Sequence, residues 1–160
     1  MTVAPERSEE ARHASGFTLT EVLIAVTILG ALAALGVPQF IQYKVRAEQV
    51  KAIEDLRTLQ TAIQVYQFDN GSLPSSLAGL PNANVLDPWG RPYKYLKIEG
   101  DTKTKAEARK DRFLVPINTD YDLYSMGPDG KSKPPLTAKD SEDDVIRANN
   151  GAYIGRASDF

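Results

Sequence analysis

Glu21 stands at the head of an oily run. Residues 22–41 carry no charged side chain, and Glu21 follows the pair Gly16–Phe17, four residues beyond the phenylalanine. A charge at the centre of a membrane helix costs about 2.5–3.5 kcal/mol on insertion scales, and less near an end where water is close. One reading is that the carboxylate lies at the interface and snorkels. Another starts from the helix N-terminus, where unsatisfied amide hydrogens and partial positive charge favour an acid in the first turn. A cut between Gly16 and Phe17 would add an α-ammonium four residues before Glu21 on the same helical face. That amine could meet Glu21 of its own chain or, in an assembly, Glu21 of a neighbour.

A second group of acids, Asp129, Asp140, Asp143 and Asp144, lies in the last third of the chain. Carboxylates with backbone carbonyls from a glycine-containing turn are what a hard cation needs, six to eight oxygens at about 2.3–2.6 Å. On composition alone the same acids are a solvated loop. They do not suggest an enzyme, because no apolar pocket former surrounds them to push two carboxyl pKa values apart. The single histidine, His13, falls in the polar leader, and there is no cysteine. Ser/His/Asp catalysis, histidine metal ligation, thiolate sites and disulfides are therefore all excluded from the part after residue 16. Net charge is −2 with both signs mixed through 160 residues, so nothing advertises phosphate neutralisation, and nucleic acid is not an expected partner.

The elements that must position these residues read in four parts. Residues 1–16 are polar and charged, with no apolar periodicity and no reason to fold alone. Residues 17–42 are a transmembrane or filament-core helix, since roughly 20 uncharged residues at 1.5 Å rise span a hydrocarbon core of about 30 Å. A conventional secretory signal fits poorly, because Glu6, Glu9 and Glu10 outnumber Arg7 and Arg12 before the apolar run. Charge counting leaves orientation open, as Lys44, Arg46 and Lys51 follow the segment. The helix continues to about Phe68 as an amphipathic half with Ile53, Leu56, Leu59, Ile63 and Tyr66 in one stripe. Gly71 and Pro74 in "DNGSLP" end it.

Residues 43–160 form the expected globular domain. Short β-prone runs at 93–98, 112–117 and 121–126 predict about three antiparallel strands laid on the helix stripe, an α+β fold. The charged stretch "EGDTKTKAEARKD" between the first two reads as a mobile hairpin extension. Residues 127–160, rich in Gly, Pro, Asn and Asp, read as a long loop-rich tail.

Gly16 followed by "FTLTEVLIAVTILGALAALGVPQF" resembles the class III signal of type IV pilins and of type II secretion pseudopilins. The resemblance implies that a prepilin peptidase cuts after Gly16 on the cytoplasmic side and N-methylates Phe17, and that Glu21 aligns subunits entering a filament. It places the protein in the inner membrane as a single-pass chain, N-terminus cytoplasmic and globular domain periplasmic, before assembly into a pseudopilus. Gly30, Gly36 and Pro38 weaken the helix, by roughly 1 kcal/mol for each glycine relative to Ala. They make either an ordinary kinked membrane helix or, as in this family, a stretch that extends or melts on assembly.

"LDPWGRPYKYL" (86–96) is similar to the "DPWG-P-Y-Y" signature of the major pseudopilin of type II secretion, and physically is a rigid turn with aromatic anchors. That branch implies a homopolymer working with minor pseudopilins and an inner-membrane assembly platform, and no enzymatic activity. "DLYSMGPDGK" (122–131) is similar to a loop that leads to Ca2+ in major pseudopilins. By that resemblance Asp129 is a side-chain ligand and Met126 a carbonyl donor, with Asp143 and Asp144 preferred over Asp140 to close the site and Ser141 as a carbonyl or hydroxyl donor. Here "SKPPLTA" replaces a glycine-rich stretch of the family pattern. The alternative is a type IV pilin with an adhesive or DNA-uptake role, for which Lys103, Lys105, Arg109, Lys110 and Arg112 are the one basic cluster, diluted by Glu107 and Asp111.

Overall fold

The computed structural model describes residues 16–82, 84–99 and 102–160, with the side chains of residues 102 and 103 left aside. The expected leader, residues 1–16, lies outside the described residues except for Gly16. Helix α1 spans Leu19–Asn70, followed by β1 Lys94–Lys97, a short helix α2 Thr102–Glu107, β2 Tyr121–Ser125, β3 Val145–Ala148 and β4 Tyr153–Arg156. The chain divides into two compact units, the first ending at Gln42 and the second running Tyr43–Phe160.

In the first unit α1 is apolar on every side, and no side chain from Gly16 to Gln42 is buried. By length and composition this is the helix able to cross a membrane. Gly30, Gly36 and Pro38 all fall inside continuous helix.

In the second unit α1 buries Ala52, Leu56, Leu59 and Ile63, at steps of four, three and four residues. That spacing keeps them on one face of a 3.6-residue helix. They pack with Leu73, Leu80, Tyr93, Tyr121, Leu123 and Val145 into the main core. Ile53 and Tyr66 of the predicted stripe lie at its edge, half-buried. The helix stops at Gly71, whose φ of 69° is left-handed and whose N–H donates to the carbonyl of Gln67 at 2.8 Å.

The sheet is an antiparallel meander in the order β1-β2-β3-β4. It has four strands where the sequence predicts about three, and two expectations are corrected. The run at 112–117 is not a strand. Its Phe113 is 98% exposed, Leu114 and Val115 are exposed, and β2 pairs directly with β1, leaving this run no place in the ladder. Conversely, the predicted loop-rich tail supplies β3 and β4. These pair from Val145↔Arg156 to Ala148↔Tyr153. The turn between them is Asn149–Asn150–Gly151, with φ of 51°, 53° and 91°, conformations that Asn and Gly tolerate best. The stretch read as a mobile extension contains α2.

Arg147 of β3, 2% exposed, ties the sheet to the helix. Its Nε donates to Gln60 Oε1 at 2.9 Å, and its Nη2 donates to Asp120 Oδ2 at 2.7 Å. The guanidinium lies 3.9 Å from the centre of the Tyr121 ring.

Candidate functional site

At the start of α1 the sequence Thr18-Leu19-Thr20-Glu21 forms a reciprocal cap. The Glu21 N–H donates to Thr18 Oγ1 at 3.3 Å, while Glu21 Oε2 accepts from the Thr18 N–H at 2.8 Å and from its hydroxyl at 2.7 Å. Orphan amide hydrogens of the first turn are satisfied in both directions. The Thr-x-x-Glu spacing is legible in the sequence as a capping box, and sequence reasoning passed it over in favour of the acid's charge. The cap also turns the carboxylate back toward Phe17, which is 87% exposed and precedes the helix. Here Gly16 and Phe17 precede the helix, and Glu21 lies in its first turn. Gly30, Gly36 and Pro38 lie farther along, and a Cβ added at either glycine would meet nothing within 4 Å.

The "DPWG" stretch is a clamped turn. Asp87, 4% exposed, accepts at Oδ1 from the N–H groups of Trp89 (3.1 Å) and Arg91 (2.8 Å), and at Oδ2 from the Ser125 hydroxyl (2.6 Å). Gly90 takes a φ of 84°, and the turn closes with Asp87 N–H on the Arg91 carbonyl at 2.7 Å. Arg91 then reaches across the domain. Its Nη1 donates to the Gly127 carbonyl at 2.5 Å and its Nη2 to the Pro128 carbonyl at 3.1 Å. Gly130 beside it takes a left-handed φ of 70°, and a Cβ there would come 2.6 Å from Arg91 Cζ and displace that side chain.

The acids of the tail separate into two places. Asp129 and Asp143 meet near Gly127: the Asp129 N–H donates to Asp143 Oδ2 at 3.2 Å, and the Lys131 N–H donates to Asp129 Oδ1 at 2.7 Å. Asp144 is fully buried and faces inward, where its Oδ2 accepts from Arg109 Nη2 and, at 2.6 Å, from the Ser132 hydroxyl. Arg109 is itself 3% exposed. Its guanidinium also bonds Ser132 Oγ and lies 4.4 Å from the centre of the Tyr124 ring, and its backbone N–H donates to Asp122 Oδ2 at 2.6 Å. Burial pushes the Asp144 carboxyl up to about 6, the Arg109 charge and the Ser132 hydroxyl pulling against it. Burial likewise raises Asp122, against the Arg109 amide and Asn118. Ser141 is turned away, with its Oγ bonded to the N–H and carbonyl of Lys133, both at 2.8 Å. Asp140 pairs with Lys133 at 2.9 Å.

Residues 11–37 match the family described as the prokaryotic N-terminal methylation motif. The chain is 36% identical over 141 residues to the type II secretion system core protein G of Pseudomonas aeruginosa, an alignment covering 75% of this chain and 87% of that protein. It belongs to this family, the major pseudopilins. Similar relatives are the core protein G of Aeromonas hydrophila, 32% identical over 76% of this chain and 87% of that protein, and of Vibrio cholerae, 31% identical over 75% and 84%. No solved structure matches the chain significantly. Pseudopilins are structural subunits, so the absence of catalytic chemistry in the sequence is explained.

Of the five residues expected to ligate calcium in this pseudopilin, Asp129 and Asp143 come together, whereas the Asp144 carboxylate is engaged by Arg109 and Ser132 and the Ser141 hydroxyl by Lys133. Among the described residues no group of three or more His, Asp or Glu is placed to hold a metal ion. Sequence reasoning missed both arginines that organise this region. The reading of the turn motif gives Arg91 no role, and Arg109 enters only as one member of the basic cluster. The one signal for Arg109 is an arginine next to Ala108 in a segment otherwise dominated by lysine.

Proposed function

We propose that this pseudopilin is cut between Gly16 and Phe17 by a prepilin peptidase, methylated on the new amine, and polymerised by an inner-membrane platform into a pseudopilus. Before assembly its residues 17–42 cross the inner membrane, N-terminus in the cytoplasm and residues 43–160 in the periplasm. In the fibre those helices exchange lipid for one another, packing eased by Ala and Gly. Minor pseudopilins join the same assembly, and growth at the base pushes secreted proteins outward.

The observation that carries this reading is the Glu21 carboxylate, held by Thr18 toward the start of the helix, where cleavage would create an ammonium. The basic cluster that would favour a DNA-uptake pilin is weakened, since Arg109 is buried against Asp144.

Glu21→Gln separates two roles, because glutamine can still close the capping box but carries no charge. Intact mass should show loss of residues 1–16 and one added methyl in both the wild type and the variant, while fibres fall at least tenfold in the variant. Wild-type fibre yield from Glu21→Gln would reduce Glu21 to a cap and overturn the charge-pairing step.

A further inference from the structure

We infer that the C-terminal lobe of this subunit is locked by two internal arginines, Arg91 and Arg109, in place of a divalent cation, so that its folding does not depend on calcium. A metal that crosslinks a loop works by gathering oxygens from segments far apart in sequence. Here that gathering is done by guanidinium groups, each with five donors in a fixed fork. Arg91, on the 86–92 turn, takes the carbonyls of Gly127 and Pro128. Arg109, on the connection between β1 and β2, takes the Asp144 carboxylate and the Ser132 hydroxyl. Its backbone N–H holds Asp122 of β2. Together they join the turn, the β1–β2 connection and the tail.

Two buried atoms are left without partners on this pair, Asp144 Oδ1 and Arg109 Nε. An orphaned carboxylate oxygen taken alone would point to a missing cation. The two orphans are instead complementary, an acceptor and a donor on residues already bonded to each other. Of the two acids on the 126–130 side, Asp129 Oδ1 accepts the Lys131 N–H at 2.7 Å and Asp143 Oδ2 the Asp129 N–H at 3.2 Å. The Gly127 and Pro128 carbonyls beside them face a guanidinium, which would repel a second cation.

The test is thermal melting of the processed full-length protein in detergent, in millimolar calcium chloride and in excess chelator. The melting temperature should be the same in both within about 1 °C. A rise of several degrees in calcium that the chelator abolishes would overturn the inference. Arg109→Met leaves Asp144 buried and unpaired, so it should melt far lower or fail to fold. Arg109→Met with Asp144→Leu removes both charges and should recover much of that loss. A double variant no more stable than the single one would show that Arg109 acts by packing and not by pairing, which also overturns the inference. Neither measurement reads fibre formation, so its outcome is independent of the Glu21 experiment.

Discussion

Residues 19–42 and 43–70 belong to one helix, yet they solve opposite problems. The first stretch exposes Val22, Leu23, Ile24, Val26, Ile28 and Leu29 on all sides, each at least 50% accessible among the described residues. The second keeps a single stripe, Ala52, Leu56, Leu59 and Ile63, and the chain supplies the sheet that buries it. Apolar content does not by itself say where burial comes from. A stripe is completed from within the molecule, whereas an all-round apolar surface needs lipid or other copies.

Leu56 is fully buried in the main core. Leu56→Ala should cost the domain about 2–5 kcal/mol in denaturant unfolding, from lost transfer energy plus a cavity. A loss under 1 kcal/mol would mean that the stripe is not the keel of the core.

Alkaline titration comes next, because tyrosine is confined to the second stretch and the domain beyond it. Burial raises Tyr121 to about 12, against the pull of Arg147, and burial foremost also raises Tyr93, Tyr95, Tyr124 and Tyr153. An unfolded tyrosine ionises near pH 10. Between that pH and the raised values the folded state binds more protons than the unfolded one, so stability is complete below about pH 10 and falls as pH rises. The tyrosinate absorbance of these five residues should therefore appear together with loss of helix circular dichroism in one cooperative step above pH 10. Ionisation of all seven tyrosines near pH 10 in a folded domain would contradict the burial.

Gly30→Ala with Gly36→Ala is the smallest perturbation of the isolated subunit. Nothing lies within 4 Å of either added methyl, and alanine favours helix by roughly 1 kcal/mol per site. Domain melting should be unchanged, while fibre rise or assembly yield should alter if the first stretch must loosen on packing. Unchanged fibres would leave the two glycines as ordinary helix residues.

What reasoning along the chain reached, and what it missed, follows the range of the interactions. The end of α1 at Gly71, the stripe, β1, β2 and the Asp87–Gly90 turn are local matters of period, left-handed φ and Asx hydrogen bonds, and all are where the residues place them. The Thr18–Glu21 cap was equally local and was obscured by attention to charge. The hairpin of β3 and β4 hid behind average composition, although Asn149–Asn150–Gly151 between "VIRA" and "YIGR" is a turn signal with a mechanism. The run 112–117 failed in the opposite direction, since β propensity describes a side chain suited to a pleated surface and not whether a ladder has a place for it.

Sequence alone determined the family, the apolar span with its acid at the head, and the face on which α1 would bury itself, because each depends on residues within a few turns of one another. Only the tertiary structure decided the fates of Arg91 and Arg109. Their partners lie 36 and 35 positions away, and a guanidinium beside other basic residues looks like surface until the fold removes it from water. Burial then changes its chemistry, from one more solvated charge to the cation around which the acids and carbonyls of the C-terminal lobe are arranged.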